Sequence, residues 1–193
     1  MADVLAIKGS PRAGGNTDTL VDEAVRGAGE AGHHVTTLVL REHRYSGCVN
    51  CGGCSRDGVC HVKDAMQDVF QLLDRTEHLI LGVPMFFMDV PWNVKAMIDR
   101  CQVYWARKFV LKADSGRLHP GGNLLALLVG GTNFKTLFDA PRIVLGAWCA
   151  TLELKLHVGL ALRRIDHKGA VNEHPDALTR ARELGRKLAE LAR

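Results

Sequence analysis

The sequence predicts a doubly wound α/β domain in three layers, with helices on both faces of a five-stranded parallel sheet ordered 2-1-3-4-5. Three observations lead there. Short apolar runs alternate along the chain with segments whose apolar residues recur at helical spacing, and parallel strands need such helical crossovers. The first, third and fourth runs are apolar throughout, as strands covered on both faces must be, whereas the second and fifth carry polar residues and belong at the edges. The length of 193 residues, 47% of them hydrophobic and 24% charged, suits a single domain spanning residues 1–193 around one core.

The elements follow in order. Residues 3–8 form a short apolar run (Val4, Leu5, Ala6, Ile7) that ends at a glycine, and residues 17–31 then carry Leu20, Ala24, Ala28 and Ala31 on one helical face. A second strand covers residues 35–40, mixing Thr36 and Thr37 with Val and Leu. After a cysteine-bearing loop at residues 47–61, Asp64 can cap a helix with Met66, Val69, Phe70 and Leu73 inward. Residues 78–83 are the third strand. Pro91 suits a first helical turn, and Val94, Met97, Ile98, Cys101 and Trp105 then recur as one long apolar face. Residues 123–129 are the fourth strand, residues 135–149 a helix, and residues 153–158 a fifth strand that alternates through Glu153, Leu154, Lys155 and Leu156. Pro175 opens a last helix with Leu178, Ala181, Leu184, Leu188 and Leu191 inward. Residues 107–122, rich in glycine and polar side chains, are expected to form a mobile excursion.

In such a fold a ligand lies at the carboxyl ends of the first and third strands, where the winding reverses. Composition narrows the choice of partners. The net charge is +4, from 25 Lys and Arg against 21 Asp and Glu, without a dense basic stripe, and aromatics make up only 6%, so no nucleic-acid partner is expected. The longest apolar runs, such as residues 124–129, are too short to cross a bilayer, and the N-terminus shows no basic region followed by an apolar stretch. The expectation is a cytoplasmic protein with no membrane contact.

Two glycine patterns compete. Gly27, Gly29 and Gly32 spell G-x-G-x-x-G, but they stand at the end of a helix and before a strand, the reverse of a dinucleotide fingerprint, and read as a helix terminus. The candidate ligand loop follows the first strand: Gly9-Ser10-Pro11-Arg12-Ala13-Gly14-Gly15-Asn16-Thr17. The lysine of a Walker A loop is missing, which argues against a nucleotide triphosphatase. Hydroxyls, an amide and glycines leading into a helix N-terminus suit an anion such as a monophosphate. Met85, Phe86, Phe87 and Met88, in the loop after Pro84, offer a flat polarizable wall at the neighbouring strand end.

Six cysteines without an export signal point away from disulfides, and four of them crowd together as C-x2-C-x2-C-x5-C: Cys48, Cys51, Cys54 and Cys60. Three thiolates so close can surround one face of a [4Fe-4S] cluster while the fourth closes the site. Zinc takes four thiolates from two separated knuckles more often than from one tight run, and free thiols are the third alternative. His61, beside Cys60, reads as a surface histidine within reach of a cluster sulfur. Cys101 and Cys149 read as buried packing residues, and Asp99-Arg100 as an anchor for a helix or a subunit contact.

Gly9-Ser10-Pro11-Arg12, Gly15-Asn16-Thr17, Pro84-Met85-Phe86-Phe87 and Lys95-Ala96-Met97-Ile98-Asp99-Arg100, taken in order, resemble the flavodoxin-like NAD(P)H-dependent FMN reductases over residues 4–132. With the clustered cysteines, the chain resembles the iron-sulfur flavoprotein branch. The resemblance implies that Ser10, Arg12, Asn16 and Thr17, with Gly15 in the loop, hold the FMN phosphate. Pro84, Met85, Phe86, Phe87 and Met88 would line the isoalloxazine ring, with Gly130, Gly131 and Thr132 on its far side. Many relatives carry tyrosine at the position of Phe86, so a hydroxyl contact would be absent here. The function implied is an FMN-dependent oxidoreductase, without a catalytic acid or base, that passes electrons between NAD(P)H or ferredoxin and a small acceptor such as a quinone or a flavin. The alternatives are an electron carrier with no substrate of its own, and an FMN reductase whose cysteines are free or bind zinc. Trp92, Tyr104, Trp105 and Phe109, flanking one helix, suggest the contacts of a homodimer or homotetramer.

Overall fold

A computed structural model describes residues 1–113 and 121–191. In chain order the regular elements are β1 (Asp3–Lys8), α1 (Asn16–Glu30), β2 (His34–Val39), α2 (Cys54–Asp57), α3 (Met66–Arg75) and β3 (His78–Pro84). They continue with α4 (Trp92–Arg100), α5 (Gln102–Trp105), β4 (Asn123–Val129), α6 (Asp139–Leu152), β5 (Lys155–Leu162) and α7 (Pro175–Arg186). The five strands pair in parallel in the order β2-β1-β3-β4-β5, so Val4 lies beside both Val35 and His78. This is the order that the polar content of the second and fifth runs predicts: β4 is buried at every residue, while β5 is nowhere fully buried.

Alternation along each strand divides the core into two layers. Val4, Ala6, Ile80, Leu125 and Leu127 face α1 and α7, whereas Leu5, Ile7, Leu79, Leu81 and Leu128 face α3, α4 and α6. On the first side the packing brings backbones together. A β carbon on Gly27 would stand 1.9 Å from the Arg182 carbonyl oxygen, and one on Gly185 would stand 2.0 Å from that of Ala24. Gly27 is therefore a packing position as well as part of a helix end, which closes with Gly32 in the left-handed region (φ 82). Glu30 fastens the same pair of helices by accepting from Arg182 and Arg186.

Four expected elements differ, the last helix among them: α7 ends at Arg186, and Leu188, expected on its inner face, follows in a separate 3-10 turn, with Leu191 just past it. The helix expected to run from Pro91 through Trp105 breaks at Cys101, whose N–H is shared between Met97 and Ile98, and past α5 the chain widens into a π turn over Ala106–Val110. Trp105 consequently ends 40% exposed rather than inward. The helix expected at residues 135–149 starts at Asp139, because residues 134–139 first make tight turns. The fifth strand starts two residues late, since Glu153 takes a left-handed conformation (φ 58) that closes α6. The middle of the expected excursion, residues 114–120, lies outside the described residues. Among the described residues, no helix is long and apolar enough to cross a membrane.

Candidate functional site

β1, β3 and β4 end on one side of the sheet, and the loops that leave them build a shared pocket of about 200 Å³. The first loop, residues 9–15, delivers the chain into α1 with Gly15 as N-cap. The first helical bond closed there runs from the Thr19 N–H to Gly15, so the amides of the first turn stay available to a ligand. Ser10 shapes the loop: its hydroxyl accepts from the Arg12 N–H and donates to the Arg12 carbonyl, both at 3.1 Å. Arg12 reaches across the pocket to the Asp166 carbonyl at 3.3 Å.

Asn16 is placed at the pocket, but its amide is committed to the fold. The side chain donates to the His167 carbonyl at 2.9 Å and accepts from the N–H groups of Gly169 and Val171 at 3.0 and 3.2 Å. What Asn16 can offer an anion is its backbone N–H. Two residues that the sequence reading did not single out brace the loop from below. Asp18, 3% exposed, accepts from the Gly14 N–H and pairs with Arg41 at 3.0 Å, and Arg41 also reaches the Ser10 carbonyl. An acidic residue three places after an N-cap, and an arginine just beyond the neighbouring strand, were the available signals.

The second loop leaves β3 at Pro84. Met85 bonds through its N–H to Val129, and Phe86 and Asp89 exchange both backbone hydrogen bonds, at 2.9 and 3.1 Å. Phe87 and Met88 thus form a two-residue turn in which both have positive φ, 49 and 67. That conformation is usual for Asn-Gly and strained for side chains with a β carbon. It has a clear effect. Pro84, Met85 and Phe86 line the pocket with Ser10, Arg12, Gly15, Asn16 and Thr17, whereas Phe87 swings fully into solvent and Met88 turns back onto the core. Gly130 and Gly131 line the opposite side; Thr132 does not. A β carbon on Gly131 would stand 2.7 Å from a carboxylate oxygen of Asp166, which joins the wall with Ile165.

The cysteine loop leaves edge strand β2. Gly52 and Gly58, both with φ 72, bracket the single turn of α2, and Cys48, Cys51, Cys54 and Cys60 all line one small cavity of about 40 Å³ together with Arg100. Cys48 and Cys51 are exposed, Cys54 and Cys60 partly buried. Burial, together with the charges of the other three cysteines, pushes the Cys54 thiol up. Among the described residues no group of three or more His, Cys, Asp or Glu side chains is placed to hold a metal ion. Four thiols lining one cavity are the donor set of an iron-sulfur cluster and of zinc alike. His61 lines this cavity but pairs with Asp57 at 2.7 Å and is partly exposed. Cys101 and Cys149 are both buried, and burial pushes the Cys101 thiol up to about 12.

Arg100 anchors this loop. Its guanidinium, 1% exposed, donates to the Ser46 and Val62 carbonyls at 3.1 and 3.0 Å and to Asp64 at 2.8 Å. Asp64 also accepts from the Ser46 N–H and caps α3 through the Met66 N–H. Burial alone would raise the Asp64 carboxyl, but Arg100 and these two N–H groups outweigh it and hold it below the usual carboxylate range. Asp99 instead pairs with Lys95 on the surface. One helix links the two pockets: Asn93 in the first turn of α4 donates to the Gly9 carbonyl at 3.1 Å, and Arg100 ends that helix at the cysteine loop. Of the four aromatics considered for subunit contacts, Trp92, Trp105 and Phe109 are exposed, while Tyr104 is fully buried and donates to Asp74 at 2.7 Å. Tyr104 is a core residue.

Residues 2–135 match the family described as NADPH-dependent FMN reductase. An iron-sulfur flavoprotein of Archaeoglobus fulgidus is 27% identical over 186 residues, 96% of this chain and 78% of its own. An iron-sulfur flavoprotein of Methanosarcina thermophila is 27% identical over 129 residues, 67% of this chain and 63% of that protein. Iron-sulfur flavoprotein MJ1083 of Methanocaldococcus jannaschii is 32% identical over 97 residues, half of each chain, so the chain spans only about half to two thirds of these last two relatives. Among solved structures, an NAD(P)H:quinone oxidoreductase from Methanothermobacter marburgensis superposes with a TM-score of 0.73 at 16% identity, covering 97% of this chain and 96% of that one. An azoreductase from Bacillus anthracis reaches a TM-score of 0.64 at 14% identity, over 97% of this chain and 100% of its own. These likenesses show the flavodoxin-like fold.

Proposed function

The chain belongs to the NADPH-dependent FMN reductase family, and from that premise we propose that it is an FMN-dependent oxidoreductase with a [4Fe-4S] cluster on Cys48, Cys51, Cys54 and Cys60. It passes electrons between NAD(P)H or a ferredoxin and a small acceptor such as a quinone or a flavin. The observation that carries this reading is the convergence of three loops, after β1, β3 and β4, on one pocket. When bound, FMN supplies chemistry that joins two-electron and one-electron transfer.

The chain's own residues do the rest. The free N–H groups of the first turn of α1 and the Arg12 guanidinium bind the phosphate, while Asp18 and Arg41 hold the loop in shape. Met85 and Phe86 present an apolar wall to the ring, and Gly130 and Gly131 let backbone approach its opposite side. No side-chain acid or base is needed. The four thiols need a reducing compartment such as the cytoplasm, and the exposed Trp92, Trp105 and Phe109 supply contacts for a homodimer or homotetramer.

The test is anaerobic purification followed by absorption spectroscopy, flavin, iron, zinc and acid-labile sulfide assays, and turnover with NADPH, NADH and reduced ferredoxin. Stoichiometric FMN, with iron and sulfide in equal amounts, is expected. Zinc or bare thiols would replace the cluster by the corresponding alternative, and a flavin that is reduced without turning over any acceptor would make the protein an electron carrier.

A further inference from the structure

The cysteine cavity is unusual in having a fully buried cation in its wall. Arg100 is 1% exposed and its terminal nitrogens make three hydrogen bonds, whereas its buried Nε finds no partner among the described residues. Those terminal nitrogens hold Ser46 and Val62, the residues just outside Cys48 and Cys60, so one guanidinium closes the loop at its base. A clasp alone has no use for a charge. Hydrogen bonds from a neutral group would serve, and a buried ion pair is no more stable than a well-packed apolar replacement. Arginine, unlike lysine, stays protonated when buried and presents several donors in fixed directions.

We propose that Arg100 sets the electron affinity of the group held by the four cysteines, its charge and its buried Nε–H favouring the reduced form, and that Asp64, paired with the same guanidinium, attenuates this effect. This rests on the cluster reading above. Four thiolates around one cavity carry a large negative charge, and adding one electron from a reductant, without a proton, increases it further. A positive charge in a low-dielectric wall lowers the energy of the reduced form more than that of the oxidised form. Arg100 is thus a positioning and charge-tuning residue that takes no part in bond making.

The experiment is an EPR-monitored potentiometric titration of the anaerobically purified holoprotein, with iron, sulfide and flavin content measured on each sample. Arg100→Gln is expected to shift the cluster's midpoint potential downward and Asp64→Asn to shift it upward, with FMN content unchanged in both. Opposite signs are the readout that a purely structural clasp would not produce, because loosening the loop by either change acts in one direction. Should Arg100→Gln fail to fold, Asp64→Asn decides alone: its one amide oxygen keeps the bonds from Ser46 and Arg100 and gives up the cap on α3, and an upward shift supports the proposal. Unshifted potentials, or shifts of the same sign in both variants, overturn it while leaving the cluster reading intact. Wild-type protein without iron and sulfide removes both.

Discussion

The two pockets are built in opposite ways. The one at the strand ends is made of short loops anchored on β1, β3 and β4, the three central strands, and its floor is a helix whose first turn is bonded to the residues 167–171 segment. The cysteine cavity sits on a long connection from edge strand β2, with a single helical turn inside it and one buried ion pair at its base. The first is shaped by the ends of the central strands. The second hangs on the hydrogen bonds at its base.

The largest expected effect breaks the comparison on the cysteine side. Cys51→Ser should abolish the whole metal site rather than a quarter of it, because thiolates from one loop bind a cluster together, while FMN content stays at the wild-type level. Iron, sulfide and flavin assays on oxygen-free preparations check this; loss of FMN as well would make the two pockets one unit. Next comes the brace of the other pocket. Asn16→Ala leaves the N–H groups of Gly169 and Val171 without their acceptor and should destabilise the fold by about 2–3 kcal/mol in urea denaturation. A change below about 0.5 kcal/mol would show that the amide is not a structural brace.

A smaller change has the other sign. Replacing Phe87 by Asn puts a residue suited to the left-handed region at φ 49 and should stabilise the protein by about 1 kcal/mol, read as a higher Tm, since Phe87 is fully exposed and its removal costs no packing. FMN affinity should hold, because Phe87 does not line the pocket. The smallest effect concerns Glu30, whose carboxyl Arg182 and Arg186 hold down at about 2. A depressed carboxyl stabilises the folded state fully above its ordinary value and loses that contribution as pH falls toward its folded value. The Tm difference between wild type and Glu30→Gln should therefore be constant near neutrality and close progressively between pH about 4.5 and about 2. A difference that persists at the acid end would show that Glu30 acts other than through its charge.

Most of the sheet was legible because burial on both faces writes unbroken apolar runs, and β1, β3 and β4 carry them while β2 and β5 do not. The pocket was legible for a related reason: residues just past the carboxyl ends of central strands meet whatever their side chains are. Side-chain roles were harder to read. Asn16 has the composition of an anion ligand, yet its partners lie about 150 residues away in sequence, where no local pattern shows them. Arg100 looked like a helix anchor because its partners, Ser46, Val62 and Asp64, are likewise remote. Phe87 and Met88 were expected in the ring wall on their apolar character, but a turn that puts both at positive φ, against their usual preference, turns one outward and the other under. The break at Cys101 was hidden by an apolar periodicity that continues across it.

The nine residues of α4 act as a ruler. Asn93 is pinned to the Gly9 carbonyl and Arg100 to both ends of the cysteine loop, so the spacing of the two pockets follows from a fixed number of rigid helical steps, roughly 10 Å of axial rise. Loops of the same length would let that spacing drift with temperature and with the contents of either pocket. A residue inserted into α4 would rotate Arg100 by about 100° away from its acceptors while leaving Asn93 in place. Deletions and insertions in this helix are therefore intolerable in a way that those at the solvent-exposed tip of Phe87 are not, and the distance between the two pockets is set by the length of one short segment of chain.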